Sequence, residues 1–104
     1  MSGVVWWKSV PRVACFAAAG IELWFNSNDH LPPHFHAEKL REWEVRVFFL
    51  RERQEMFDIV YSNRPRRPSR SDVKEIAQQA EAHRAELLEQ WERAVDVKAP
   101  GPKR

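Results

Sequence analysis

From Ile21 the chain alternates: Ile21, Leu23 and Phe25 fall on one side, Glu22, Trp24 and Asn26 on the other. That is the period of a half-buried strand. Ser27 to Pro33 interrupts it with the turn formers Asn28 and Asp29 and the paired Pro32 and Pro33, which withdraw two backbone donors and define an ordered loop. His34 to Glu38 resumes an extended pattern. Trp43, Val45, Val47 and Phe49 then alternate with Glu44 and Arg46, and Phe57, Ile59 and Tyr61 with Met56, Asp58 and Val60. The connections are too short for a crossover helix, so consecutive strands should pair antiparallel as a meander. Val13 to Ala18 is expected to add one more strand.

The period changes after Arg70. Val73, Ile76, Ala77, Ala80, Leu87, Leu88, Trp91 and Val95 recur at helical spacing behind Ser71, which is expected to cap a helix. Its apolar stripe must cover one face of the sheet. The fold class is therefore α+β, an antiparallel β-meander of four to five strands packed against one C-terminal α-helix. One domain is expected over residues 11–95, since 104 residues support one core and not two. Residues 1–10 read as an N-terminal extension, an added strand or a contact segment, and residues 96–104 as a flexible basic tail. Trp6 and Trp7 are interface candidates within that extension, because clustered exposed tryptophans rarely stay uncovered.

The apolar run from Val13 to Ile21 has nine residues, against the roughly 20 a bilayer-spanning helix needs. No membrane contact is expected. The single cysteine, Cys15, cannot form an intrachain disulfide and reads as a buried free thiol, which suits a reducing cytoplasm. No catalytic thiol signature surrounds it.

Three of the four histidines, His30, His34 and His36, crowd one loop and strand start. Strand alternation sends His34, His36 and Glu38 to one face and Phe35 and Ala37 to the other. Imidazole nitrogen and carboxylate oxygen are the usual ligands of zinc, manganese or iron, so His34, His36, Glu38 and His30 are the metal candidates and a divalent metal such as zinc the candidate cofactor. Because imidazole exchanges protons near neutral pH, His34, His36 and His30 are also the catalytic candidates, although no nucleophile accompanies them. The same rings could equally hydrogen-bond the double-proline loop to its neighbours, with His83 a satisfied core histidine on the helix. If the helix covers the Phe35 face, His83 and the His34/His36 pair lie on opposite sides of the sheet.

A net charge of +2 hides a local concentration: Arg64, Arg66, Arg67 and Arg70 lie on one proline-stiffened connection. Guanidinium groups held together suit phosphate or an acidic protein surface, so these arginines are the candidates for nucleic-acid or partner binding. Read without a partner, they form a solvated loop beside the acids of the helix. Glu81, Glu86, Glu89 and Glu92 would repel a polyanion, which confines any such contact to the loop side.

The run WFNSNDHLPPHFHAE, Trp24 to Glu38, resembles the signature of the bacterial domain-of-unknown-function family 4160 (DUF4160), and EAHRAELLEQW, Glu81 to Trp91, resembles its closing helix. The resemblance covers roughly Pro11 to Ala94. It implies signature histidines at His30, His34 and His36 and a helix histidine at His83. It also implies a small protein of the kind often encoded beside a second small domain in toxin–antitoxin-like gene pairs, with no activity assigned. Two departures stand out: Met1 to Val10 is additional, and Lys39 to Glu42 has no glycine where the family's hairpin is often glycine-rich. The expected function is a binding or regulatory component contacting a protein partner, a second copy of itself, or nucleic acid. The alternative is a histidine-dependent hydrolase acting on RNA, with or without a divalent metal.

Overall fold

A computed structural model describes residues 11–60 and 66–95 of the chain. Among them, four strands form one antiparallel sheet in sequence order: β1 (Glu22–Trp24), β2 (Phe35–Lys39), β3 (Trp43–Val47) and β4 (Phe57–Ile59). The meander follows the alternation read from the sequence. Register places Leu23, Ala37, Val45 and Ile59 in one cross-strand row and Phe35, Val47 and Phe57 in the next. These residues share the core with Phe25, Phe49, Met56, Ile76, Ala77, Ala80, Leu87 and Trp91. Alternation sends Trp24, His36, Arg46 and Asp58 to the opposite face, with Glu22, Glu38 and Glu44 in the adjacent row.

The expected strand over Val13 to Ala18 does not form. Its pairing is limited to isolated bridges, Arg12 with Trp24 and Ala18 with Ile21, where Gly20 takes the left-handed φ of 76° that a tight return requires. The Val13 amide and the Pro11 carbonyl bond Leu23 and Phe25, while on the edge away from β1 the Gln90 side chain of the C-terminal helix donates to the Arg12 carbonyl at 2.6 Å and accepts from the Ala14 amide at 2.9 Å. Cys15 is accordingly half-buried in this irregular segment, and burial pushes its thiol up.

The single helix expected after Ser71 is two: α1 (Arg70–Ala82) and α2 (Arg84–Ala94). His83 separates them with φ −118° and ψ 25°, outside helical geometry, although its amide still bonds Gln79 and its carbonyl still accepts from Leu87. The stripe read as one helix therefore survives a bend. The Arg84 guanidinium donates to the carbonyls of Phe49 at 2.8 Å and Arg51 at 2.9 Å, tying the start of α2 to the β3–β4 connection. The helix cap is Ser69 rather than Ser71: its hydroxyl accepts the Asp72 amide at 3.0 Å, one turn earlier than the apolar stripe begins. Ser69→Ala is expected to lower stability by about 0.5–2 kcal/mol in urea unfolding, whereas Ser71→Ala should be nearly neutral.

The glycine-free hairpin between β2 and β3 turns on Arg41, which takes φ 67°. That region disfavours a side chain, so this residue carries strain that a glycine would not. The remaining sequence expectations at Trp6, Trp7, Tyr61 and Arg64, and those for the N-terminal extension and the C-terminal tail, lie outside the described residues. Among the described residues, no helix is long and apolar enough to cross a membrane.

Candidate functional site

The double-proline loop leaves β1 and returns into β2, so its two ends are neighbours across the sheet. Asn26 and Asp29 sit on the outgoing side, with the Asp29 amide bonded to the Asn26 carbonyl at 3.2 Å. His36 stands on β2 directly across from Trp24, whose indole stacks on the imidazole with ring centres 5.3 Å apart. His34 lies just ahead of β2, its ring 4.9 Å from Phe48 and 5.6 Å from Trp91. The two imidazoles are 5.1 Å apart and edge-on. Each histidine is only 5% exposed.

Both rings converge on one carboxylate oxygen. Asp29 Oδ2 lies 2.9 Å from His36 Nε2 and 3.2 Å from His34 Nε2. The sequence reading of Asp29 as a turn former missed it. The only available signal was a carboxylate five positions before His34 and seven before His36, a spacing that becomes meaningful once the loop's return is known. Asp29, His34 and His36 each offer a ligand atom, all within 4.8 Å of one another.

The surrounding bonds constrain where the ring protons lie. The Pro32 carbonyl can only accept, so His34 Nδ1, 2.9 Å away, must donate to it. In a neutral ring that leaves Nε2 with a lone pair facing Asp29. For His36 the argument begins at Trp24: its indole Nε1–H donates to Asn26 Oδ1 at 3.0 Å, which turns the Asn26 amide nitrogen toward His36 Nε2 at 3.1 Å. An N–H aimed at Nε2 calls for a lone pair there, whereas the Asp29 oxygen at 2.9 Å calls for a proton, so the two neighbours of this atom compete. His36 Nδ1 is fully buried without a hydrogen-bond partner, and the nearest carboxylate oxygen, Glu44 Oε2, is 3.9 Å away.

Ring nitrogens of two imidazoles and a carboxylate oxygen thus meet at one point, and a proton or a cation must lie among them. If protons do, both rings donate to Asp29. Burial alone would then raise the Asp29 carboxyl, but the hydrogen bonds from His34 and His36, followed by their charge, outweigh it and hold the group well below the usual carboxylate range.

The other predicted residues are elsewhere. His30 is exposed at the loop surface, and Glu38 lies two residues further along β2, opposite Glu22 and Glu44; neither belongs to the cluster. Strand alternation placed Glu38 on the correct face, but the ligand atoms converge beyond the end of the strand. His83 stacks on Phe16 with ring centres 5.8 Å apart and bonds Glu86 at 3.2 Å at the helix joint, only half-buried rather than a core histidine. Arg66, Arg67 and Arg70 are exposed ahead of and at the start of α1, and the Arg66 amide bonds the Glu42 carbonyl at 3.0 Å. A cavity of about 150 Å³ lies against Arg12, Phe16, Ile21 and Glu22, with no histidine in its lining.

No curated protein and no solved structure matches the chain. The family described as domain of unknown function (DUF4160) matches residues 20–92, a span holding all four strands and the whole Asp29, His34 and His36 cluster, and the chain belongs to that family.

Proposed function

We propose that the protein is a binding or regulatory component of a small toxin–antitoxin-like gene pair, contacting an anionic partner, either nucleic acid or an acidic protein. One observation carries this reading: the two imidazoles that would do proton transfer are sealed, each 5% exposed beneath Trp24, Phe48 and Trp91. A general base must come within hydrogen-bond reach of its substrate, and an RNA strand is too bulky to reach rings enclosed in this way. Exposed guanidiniums offer the contact instead: Arg66, Arg67 and Arg70 are exposed at the stiffened approach to α1 and at its first residue. Contact through this arm would be electrostatic and sequence-tolerant.

A second reading, a histidine-dependent hydrolase acting on RNA, draws on the carboxylate–imidazole contact between Asp29 and His36 at 2.9 Å, which resembles an acid–base pair. One set of measurements separates the two. The full chain should bind labelled RNA or an acidic peptide with an affinity that falls as salt rises, and Arg66→Glu, Arg67→Glu and Arg70→Glu together should weaken it by about 10-fold or more. It should leave the RNA intact. Turnover that disappears in a folded His36→Gln variant would establish the hydrolase reading instead.

A further inference from the structure

We propose that Asp29 Oδ2, His34 Nε2 and His36 Nε2 bind a divalent transition metal of the zinc class. The inference is independent of the partner reading, since a metal in a sealed site can organise a scaffold as readily as it can serve a reaction. It rests on three separate features of the cluster.

The first is electronic. The Pro32 carbonyl holds the proton of His34 on Nδ1, so its neutral ring directs a lone pair at the Asp29 carboxylate, and His36 Nε2, 2.9 Å from the same oxygen, can offer its single lone pair to an ion once the Asn26 N–H at 3.1 Å turns aside. A histidine that ligates a metal commonly donates its other ring N–H to a carbonyl or carboxylate, which orients the ring and raises its basicity. His34 has such a carbonyl in Pro32, whereas the Glu44 carboxylate stands 3.9 Å from His36 Nδ1, beyond hydrogen-bond reach. One of the two imidazole ligands is thus already oriented from behind.

The second feature is size. Ligands about 2.0–2.1 Å from a tetrahedral zinc stand roughly 3.3 Å apart. Asp29 Oδ2 is already 2.9 and 3.2 Å from the two nitrogens, and all three ligand atoms lie within 4.8 Å of one another, so the two imidazoles need draw together by no more than about 1.5 Å to seat the ion. The third is chemical selectivity. Two imidazoles and one carboxylate suit zinc, cobalt or iron(II), whereas magnesium and calcium prefer all-oxygen cages. Three protein ligands also leave a fourth position that a water molecule can fill.

The test uses the purified full chain stripped with a chelator. Titration with Co(II) should produce the visible absorption of a low-coordinate site, saturating at one ion per chain, and Zn(II) should displace it. Mg(II) and Ca(II) should not compete. Asp29→Asn, which keeps the shape of the side chain, and His36→Gln should each weaken Zn(II) binding by about 100-fold or more. His30→Gln, Glu38→Gln and His83→Gln should bind as the unaltered chain does. Near-UV circular dichroism checks that each variant is folded, and the Co(II) spectrum of the unaltered protein stands without any variant. Absence of a Co(II) band at millimolar metal, binding unchanged by Asp29→Asn in a folded protein, or binding lost with His30→Gln or His83→Gln would overturn the assignment.

Discussion

Trp91→Ala is expected to destabilise the protein by about 3–5 kcal/mol, a large part of the roughly 5–15 kcal/mol that a domain of this size holds in total. The indole is 3% exposed, and its ring lies 6.3 Å from Phe25 at a T-shaped angle and 5.6 Å from His34. It therefore joins α2 to the core and forms part of the wall over the histidine cluster. Truncation removes that burial and leaves a void that the flanking rings cannot fill without leaving their rotamers. Urea unfolding followed by far-UV circular dichroism measures the loss, and Trp91→Phe should recover most of it. A loss below about 1 kcal/mol would mean that α2 is held chiefly by Arg84 and Gln90 and not by its apolar stripe.

The second large effect is electrostatic. Asp29→Ala removes the one acceptor that both imidazoles share, and leaving buried polar groups unmatched costs about 1–3 kcal/mol or more. The loss should depend on pH in a definite direction. The folded-state carboxyl lies below its unfolded value, because the hydrogen bonds from His34 and His36 outweigh the opposing effect of burial. Its contribution is therefore fully present above the unfolded carboxyl value of about 3.9 and fades as the pH falls toward the folded one. In chelator-treated protein, the stability gap between the unaltered chain and Asp29→Ala should be wide at pH 6 and narrow steadily below pH 4. A gap independent of pH would show that Asp29 acts through packing or the turn, not through its charge.

Much of the scaffold could be read from short-range patterning. Val45 alternates with Glu44 and Arg46 because β3 buries one face, and the short connections leave no pairing except antiparallel. The apolar stripe from Ile76 to Trp91 was visible because both helices present the same face to the core; the bend at His83 interrupts two backbone angles without shifting that face enough to erase the period. The expected fifth strand stops after a single bridge to Trp24: Val13 and Pro11 bond Leu23 and Phe25, and Gln90, 76 positions from Ala14, holds the other edge of the same segment.

The candidate site divides in the same way. His34 and His36 stood out from the sequence, since imidazoles two residues apart at a strand start come together by local geometry alone. Glu38 shared that logic and proved to be on the right face but at the wrong distance, because a strand advances by roughly 3.3 Å per residue and carries its carboxylate away from the point where the rings converge. Asp29 had no periodic relation to either histidine. Its carboxylate joins them because the loop folds back across the strand pair, and the rings it meets are held by a carbonyl, an amide and an indole drawn from separate positions.

The linear order of residues was thus sufficient for the meander, the helical stripe and the histidine pair, each of which depends on neighbours a few positions apart. The third member of the cluster, the sealed state of its rings and the split between the helices arose from contacts between distant segments. Such contacts are selected by the packing of the whole core and leave no period along the chain.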